Sequence, residues 1–202
     1  MGLSFYRWAQ DAGSDDTDVP AYGYLRIELP RPRVWELMKG QYDQDWDPHA
    51  TAYLTQAPGL PDFPFTNNDL PVFSPRLKAL LEAMGVGDVQ YLPLRIKCEL
   101  DGREIEGYHV ANYLRLIDCL DRERSVYQVW TKENLLFWEK RPYMLGTFRD
   151  VQKAVLQGAK IAEVPVFRLW GWQMMVVVRG DVKEAMECAG ITGCRFERLE
   201  VV

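Results

Sequence analysis

Residues 74–116, SPRLKALLEAMGVGDVQYLPLRIKCELDGREIEGYHVANYLRL, decide the fold that the sequence predicts. Ser74 followed by Pro75 is typical of a helix start, because serine caps free backbone amides and proline suits the first helical position. Apolar residues then recur at helical spacing as far as Gly85, and glycine commonly ends a helix. The first part of the stretch therefore predicts an amphipathic helix with one buried face.

The second part of the stretch predicts a hairpin at the centre of a sheet. Residues 89–100 and 105–116 are strand-like, and the Asp101-Gly102 pair between them is typical of a tight turn. Similar signals predict strands at 22–29, 126–130, 164–170, 172–178 and 194–201, and helices at 32–39, 150–157 and 181–189. We therefore expect an α+β fold, in which two or more helices pack on a mostly antiparallel sheet.

The chain of 202 residues is of a length that predicts a single domain, 1–202. Residues 1–73 contain an acidic segment of small residues at 11–18 and five prolines after residue 40, so we expect them to be mostly irregular. Residues 74–202 form the α+β core of this prediction.

Two helical segments resemble each other within this core. Residues 77–86 (LKALLEAMGV) align without a gap on residues 182–191 (VKEAMECAGI), with lysine, glutamate and glycine at equal positions. Any amphipathic helix that ends at glycine resembles another, so we interpret the similarity as two such helices packed on one face of the sheet.

The composition excludes several classes of function. A hydrophobic fraction of 48% is typical of globular proteins, and a net charge of −5 argues against direct binding to nucleic acid or to anionic lipid. No apolar run is long enough to span a membrane and the first ten residues do not resemble a secretory signal, so we expect a cytoplasmic protein, monomeric or weakly dimeric.

The cysteines and histidines predict neither a metal site nor a cofactor. No cysteine pair has C-x-x-C spacing, and the chain has only His49 and His109 to complete a zinc site. Cys98 and Cys119 lie in apolar stretches, and we expect them to be buried thiols.

One weak catalytic constellation is present. His109 with Asp118 or Asp121 would provide the base of a small hydrolase or transferase. The predicted strand around His109 favours a structural histidine, and the two aspartates suit turn chemistry better than metal binding. We therefore predict no catalytic residue.

Aromatic residues are abundant, with seven tryptophans, ten tyrosines and eight phenylalanines. Aromatic side chains are enriched at the centres of protein interfaces, because each buries a large area at low entropic cost. They also line sugar-binding pockets and ordinary cores, so the composition leaves all three uses open.

Several stretches, taken in order, resemble one known family. They are SPRLKALLEAMGVGDVQYLPL at 74–94, GYHVAN at 107–112, LIDCLD at 116–121 followed by Ser125, the apolar strand near 165–169, VVV at 176–178 and AGITGCRF at 189–196. This pattern is similar to a family of immunity proteins from bacterial polymorphic-toxin systems, formerly a domain of unknown function. The positions that carry the pattern, which we expect to maintain the fold, are Tyr108, Asn112, Asp118, Asp121 and Ser125.

The resemblance implies a non-enzymatic protein that binds and neutralises a cognate toxin domain, a class that includes nucleases. Since many such toxins have basic clefts, acidic and aromatic residues are the expected contacts. Our interface candidates are Tyr42, Asp43, Asp45, Trp46 and Asp47.

Two alternatives differ in what the folded chain would show. A raised-pKa carboxylate beside His109 would favour the hydrolase or transferase. A concave apolar pocket lined by two or three tryptophans would favour a small-molecule or glycan-binding module, and a flat acidic-aromatic patch would favour toxin binding.

Overall fold

The computed structural model describes residues 3–11, 23–29, 31–55 and 59–202. These residues form fourteen β-strands and three α-helices. In chain order the elements are β1 (Phe5–Gln10), β2 (Tyr24–Ile27), α1 (Arg31–Leu37), β3 (Thr51–Thr55), β4 (Val72–Phe73), α2 (Pro75–Ala83), β5 (Val89–Cys98), β6 (Glu104–Tyr113), β7 (Leu116–Ile117), β8 (Val126–Val129), β9 (Phe148–Lys153), β10 (Val155–Leu156), β11 (Val166–Leu169), β12 (Val176–Arg179), α3 (Gly180–Cys188), β13 (Cys194–Arg198) and β14 (Glu200–Val201).

The expected α+β class is wrong, because the described chain is mostly β, with 17% of residues helical, and its sheet curls into a half-barrel. The helix predicted at 150–157 is replaced by β9 and β10. Val151 and Val155 are both buried at helical spacing, which explains the error. Their β-branched side chains suit a strand, and β9 pairs with β8 in an antiparallel ribbon.

Two five-stranded sheets organise the structure. Sheet 1 has the strand order β13-β1-β12-β11-β7, and sheet 2 has the order β2-β3-β5-β6-β4. The predicted hairpin is formed by β5 and β6, and the proline-rich stretch contributes β3 and β4 to sheet 2. Because β3 runs parallel to β5 and β7 runs parallel to β11, both sheets are mixed rather than wholly antiparallel.

The two similar helical segments occupy equivalent positions in the two sheets. In sheet 2, α2 connects β4 to β5, and both strands flank the antiparallel strand β6. In sheet 1, α3 connects β12 to β13, and both strands flank the antiparallel strand β1. The similarity that we had interpreted at the level of helices therefore extends to two split β-α-β units, whose helices contact each other.

Three clusters of buried side chains fill the space between these layers. The first lies under α1 against sheet 2 and contains Leu37 and Ile96. The second joins both sheets to α2 and α3 and contains Trp8, Phe73 and Met186. The third covers the opposite face of sheet 1 below β8, β9 and β10. The thiols of Cys98 and Cys119 are buried as predicted.

A buried carboxylate, that of Asp62, ties these elements together. It accepts hydrogen bonds from Ser74 Oγ at 2.6 Å, and from Thr192 N and Oγ1 at 3.0 and 3.1 Å. Arg76 approaches the same carboxylate at 3.4 Å. Ser74 Oγ in turn accepts the amide N–H of Leu77 and so caps α2. Asp62 therefore links the start of α2 to the turn between α3 and β13.

The backbone around Asp62 leaves no room for a side chain on the facing turn. Gly193 has a φ of +78°, and a Cβ there would lie 2.5 Å from the carbonyl oxygen of Phe63. The neighbouring amide of Phe63 donates to the carbonyl of Thr192 at 3.1 Å. Glycine permits both the left-handed conformation and the close approach.

We predict that Asp62→Ala lowers the free energy of unfolding by about 3 kcal/mol, because it leaves the buried Ser74 hydroxyl and the two partly buried donors of Thr192 without this acceptor. Urea denaturation followed by tryptophan fluorescence measures this loss. Glu106→Ala, at an exposed acid of β6, is the matched control and should change stability by less than about 0.5 kcal/mol. Equal losses in the two variants would contradict the role assigned to Asp62.

Candidate functional site

A groove lined by three tryptophans lies between α1 and the connection from β8 to β9. Trp35 comes from α1, Trp130 follows β8, and Trp172 lies in the turn between β11 and β12. On α1, Val34 and Leu37 are buried while Trp35 is 43% exposed, so the helix presents its tryptophan outward. The cavity at the centre of this aromatic groove has a volume of about 220 Å³.

The β8–β9 connection, which forms one rim of the aromatic groove, is unusually apolar for a surface. Tyr143, which lines the groove, is 57% exposed, and Leu136 and Phe137, earlier in the same connection, are 79% and 69% exposed. Phe137 also has a φ of +57°, a left-handed conformation that costs a non-glycine residue about 1 kcal/mol or more. Exposed apolar clusters and strained backbone concentrate at binding surfaces, so the rim is the strongest candidate site in the described residues.

Cationic side chains lie over the aromatic rings of this surface. Lys132 Nζ is 4.6 Å from the Trp138 ring centroid, and Arg149 is 5.4 Å from that of Trp130. Lys39 and Lys140 make similar contacts, at 5.9 Å to Tyr143 and 5.8 Å to Phe137. Cation–π contacts of this kind hold positive charge over the aromatic faces.

The loop at 42–47, our predicted interface, lies on the other side of α1. A second hollow lies between α1 and this loop. Glu36 and Lys39 line it from the α1 region, and Tyr42 and Asp45 line it from the loop. Tyr42, Asp45 and Asp47 are exposed. The loop and the aromatic groove are therefore neighbouring parts of one surface around α1.

The other two loop candidates make contacts within the chain. The Asp43 carboxylate is 6% exposed, and both of its oxygens accept hydrogen bonds from Arg33 at 2.5 and 2.6 Å. Trp46 packs against the first cluster, and its Nε1 donates to the carbonyl of Pro93 at 2.9 Å. The Asp43 side chain thus holds the loop against α1, and that of Trp46 holds it against sheet 2.

Asn112 reaches the same loop through a buried amide network. Its Nδ2 donates to Gln41 O at 2.8 Å and to Gln90 Oε1 at 3.0 Å. Gln90 then bonds both backbone polar groups of Asp43, accepting from the N–H at 2.8 Å and donating to the carbonyl at 2.7 Å. Asn112, a position of the family pattern, thus holds the loop in place through hydrogen bonds to its backbone.

The remaining family-pattern positions also bond to their own chain. Tyr108 donates to the carbonyl of Pro61 at 3.2 Å, and burial raises its pKa to about 12. Asp118 forms an exposed ion pair with Arg122 at 2.9 Å. Asp121 accepts the amide N–H groups of Glu123 and Arg124 at 3.1 and 3.0 Å, and Ser125 exchanges hydrogen bonds with both backbone groups of Val155.

The structure does not bring the weak catalytic constellation together. His109 lies on β6 beside Lys78 and Glu82 of α2, with its ring 6.2 Å from that of Tyr91. Burial, and to a smaller extent Lys78, lower its pKa. Across the described ranges no hydrogen bond joins His109 to Asp118 or Asp121, and no three metal-binding side chains meet.

Sequence reasoning noted the tryptophans but did not assemble the aromatic groove. No local signal could have located it, because its three tryptophans come from separate parts of the chain. The run Leu135-Leu136-Phe137-Trp138, without strand or helix periodicity, could have indicated an exposed apolar connection. Leu136 and Phe137 are exposed there and Leu135 is buried. The acids at positions 15, 16 and 18, which also suited a basic partner, lie outside the described residues.

Comparison with protein families identifies one match. The sequence model of an immunity protein family, Imm11, matches residues 28–201, a range that includes every element from α1 to β14. Comparison with curated proteins gives no match. None of the helices in the described residues is long and apolar enough to cross a bilayer.

We predict that Asp43→Asn lowers the free energy of unfolding by about 1–3 kcal/mol, because Arg33 loses its buried charged partner. Asp45→Asn, in the same loop but exposed, is the control and should be neutral within about 0.5 kcal/mol. Chemical denaturation compares the two variants. A fully stable Asp43→Asn protein would remove the structural role of this carboxylate.

His109 should make stability pH-dependent. Because the pKa of His109 is lowered in the folded chain, the unfolded chain takes up a proton near its ordinary value of about 6.5 and the folded chain resists it. The free energy of unfolding should therefore fall between pH 7.5 and pH 5, and the fall should be smaller in His109→Gln. His49→Gln, at an exposed histidine, is the control. Identical pH profiles for the wild type and His109→Gln would show that this residue is not the cause.

Proposed function

The chain belongs to the Imm11 immunity protein family, and from that premise we propose that it binds a cognate bacterial toxin domain and neutralises it by contact, without catalysing a reaction. We place the contact at the aromatic groove, with the loop at 42–47 as its acidic edge. Neutralisation would then follow from covering the toxin's active site or from blocking a motion that the toxin needs.

The observation that carries this proposal is the exposure of large apolar side chains around the aromatic groove. Leu136, Phe137 and Tyr143 lie in one connection, and Tyr143 lines the groove together with Trp35 of α1. Large aromatic side chains in a shaped surface are the usual centres of binding energy in protein complexes. Exposed Asp45, across α1 in the neighbouring hollow, supports an interface with an apolar centre and a charged rim.

The glycan-binding alternative is favoured by one observation, the three tryptophans of the aromatic groove. Its central cavity of about 220 Å³ is smaller than the 300–1,000 Å³ typical of pockets that enclose a small molecule. A volume of this size suits one or two side chains of a protein partner. A further hollow of about 410 Å³ adjoins it at Trp35 and Tyr143, so the surface is an extended groove rather than an enclosing pocket, which favours a protein partner.

The surface also carries positive charge, which can pair with acidic groups of a partner. The cations are Lys39, Lys140 and Arg149. The loop at 42–47 offers carboxylates on one side of α1, Lys140 and Arg149 lie on the other, and Lys39 borders the hollows on both sides. A partner with both basic and acidic segments would meet complementary charge at each side, which favours one orientation of binding.

We predict that Trp35→Ala and Tyr143→Ala each raise the Kd for the toxin encoded by the neighbouring open reading frame by at least tenfold, because both remove exposed aromatic surface. Leu100→Ala, at a residue that is 64% exposed on the β5–β6 turn, is the matched control and should leave the Kd unchanged. Isothermal titration calorimetry measures the affinity, and growth rescue in a bacterium that expresses the toxin measures neutralisation.

Three outcomes separate the alternatives. Rescue by the wild type and by His109→Ala, with loss of rescue in the groove variants, would support contact inhibition at this surface. Binding and rescue that survive all groove substitutions would reject the groove but not the toxin. Displacement of the toxin by a sugar or a single-stranded oligonucleotide would instead assign the groove to that ligand.

A further inference from the structure

A row of side chains crosses the face of sheet 1 that packs against the second cluster. Strand register places Phe196, Trp8, Val176, Arg168 and Leu116 side by side, one from each strand of the sheet. Four of these residues are apolar or aromatic, as expected for a face turned toward a core. Arg168, near the middle of β11, is the exception, and it is only 1% exposed.

The guanidinium of Arg168 has little compensation for its burial. Among the described residues, its Nε and Nη1 atoms are buried without a hydrogen-bond partner. Within the same ranges, its one cation–π contact is with the ring of Tyr113, whose centroid is 5.1 Å from the guanidinium carbon. None of the ion pairs formed by the described residues includes Arg168. Desolvation lowers its pKa to about 10, which still leaves it protonated at neutral pH.

A cavity of about 300 Å³ lies beside this guanidinium, where β1 extends past the start of β12. Its wall includes two further arginines, Arg7 and Arg195, which share Glu197 as an ion-pair partner at 3.3 and 2.5 Å. Asp69 is the acid on this wall, and it is exposed. Positive charge therefore exceeds negative charge on the part of the wall that the structure describes.

We propose that this cavity binds a carboxylate group, which forms an ion pair with Arg168. The Nε and Nη1 atoms have almost no accessible surface, so the carboxylate would pair with the guanidinium at its third nitrogen, Nη2, and a buried charge gains most from such a partner. Trp8 and Phe63 on the same wall would pack against the carbon body that bears the group. The cavity borders the aromatic groove at Gln173 and Met174. Binding of a free acid here does not depend on the proposed function, whereas binding of a partner's side chain rests on it.

A carboxylate of this kind has two sources, a free small acid or an acidic side chain of the protein partner. The first source is tested by thermal unfolding at pH 7 and constant ionic strength, with sodium acetate or sodium benzoate replacing sodium chloride. Wild-type Tm should rise by about 3 °C or more in the carboxylate salts, because a ligand that binds only the folded state stabilises it. Arg168→Met should show no rise.

Arg168→Met should also be at least as stable as the wild type in chloride, because methionine fills similar space without a buried unpaired charge. Arg115→Met, at an exposed arginine paired with Asp88, is the matched control and should respond to acetate like the wild type. If Arg168→Met does not fold, Arg168→Lys takes its place. Lysine keeps the charge but not the planar guanidinium, so the Tm of this variant should rise less in acetate than that of the wild type.

The second source is tested by titrating the toxin into the same variants. A tenfold or greater rise in Kd for Arg168→Met, absent in Arg115→Met, would assign the carboxylate to the partner's side chain. A Tm rise in acetate that Arg168→Met abolishes would assign it to a free acid. Unchanged Tm in every carboxylate salt together with unchanged toxin affinity would overturn the proposal.

Discussion

The carboxylate of Asp62 is the constraint on which the arrangement of both sheets depends. It meets the cap of α2 on one side and the turn that leads into β13 on the other. Those two elements belong to different sheets, so a single buried group fixes how the split β-α-β units lie against each other. A charge in this position is stabilising only while its donors stay in place, which makes the junction between the units intolerant of small shifts.

Elements that are delimited by neighbouring residues were predictable, and pairing between strands far apart in the sequence was not. Ser74, Pro75 and Gly85 correctly delimit α2, and Asp101-Gly102 correctly marks the hairpin of β5 and β6. By contrast, residues 150–157 carry a helical spacing of valines, and only pairing with β8 decides in favour of strands. The sequence does not predict β1, whose strand partners lie about 170 residues or more further along the chain. Pairing over such separations is not encoded in local periodicity.

For the surface around α1, the sequence predicted which types of residue are exposed but not where they come together. Tyr42, Asp45 and Asp47 were expected to be exposed and are exposed, whereas Asp43 and Trp46 turn inward because Arg33 and Pro93 offer them partners from other elements. The aromatic excess pointed to an interface, a pocket or a core. Only the fold brings Trp35, Trp130 and Trp172 to one groove, because they come from three separate parts of the chain.

The central place of β1 in sheet 1 has a consequence for how the chain is made. β1 is synthesised long before its two neighbours, β12 and β13. During translation its backbone groups therefore stay unpaired until residues 176–198 have left the ribosome. Sheet 1 can form only after β13 has been synthesised, so a nascent chain halted before that point carries an open sheet edge that other chains can join.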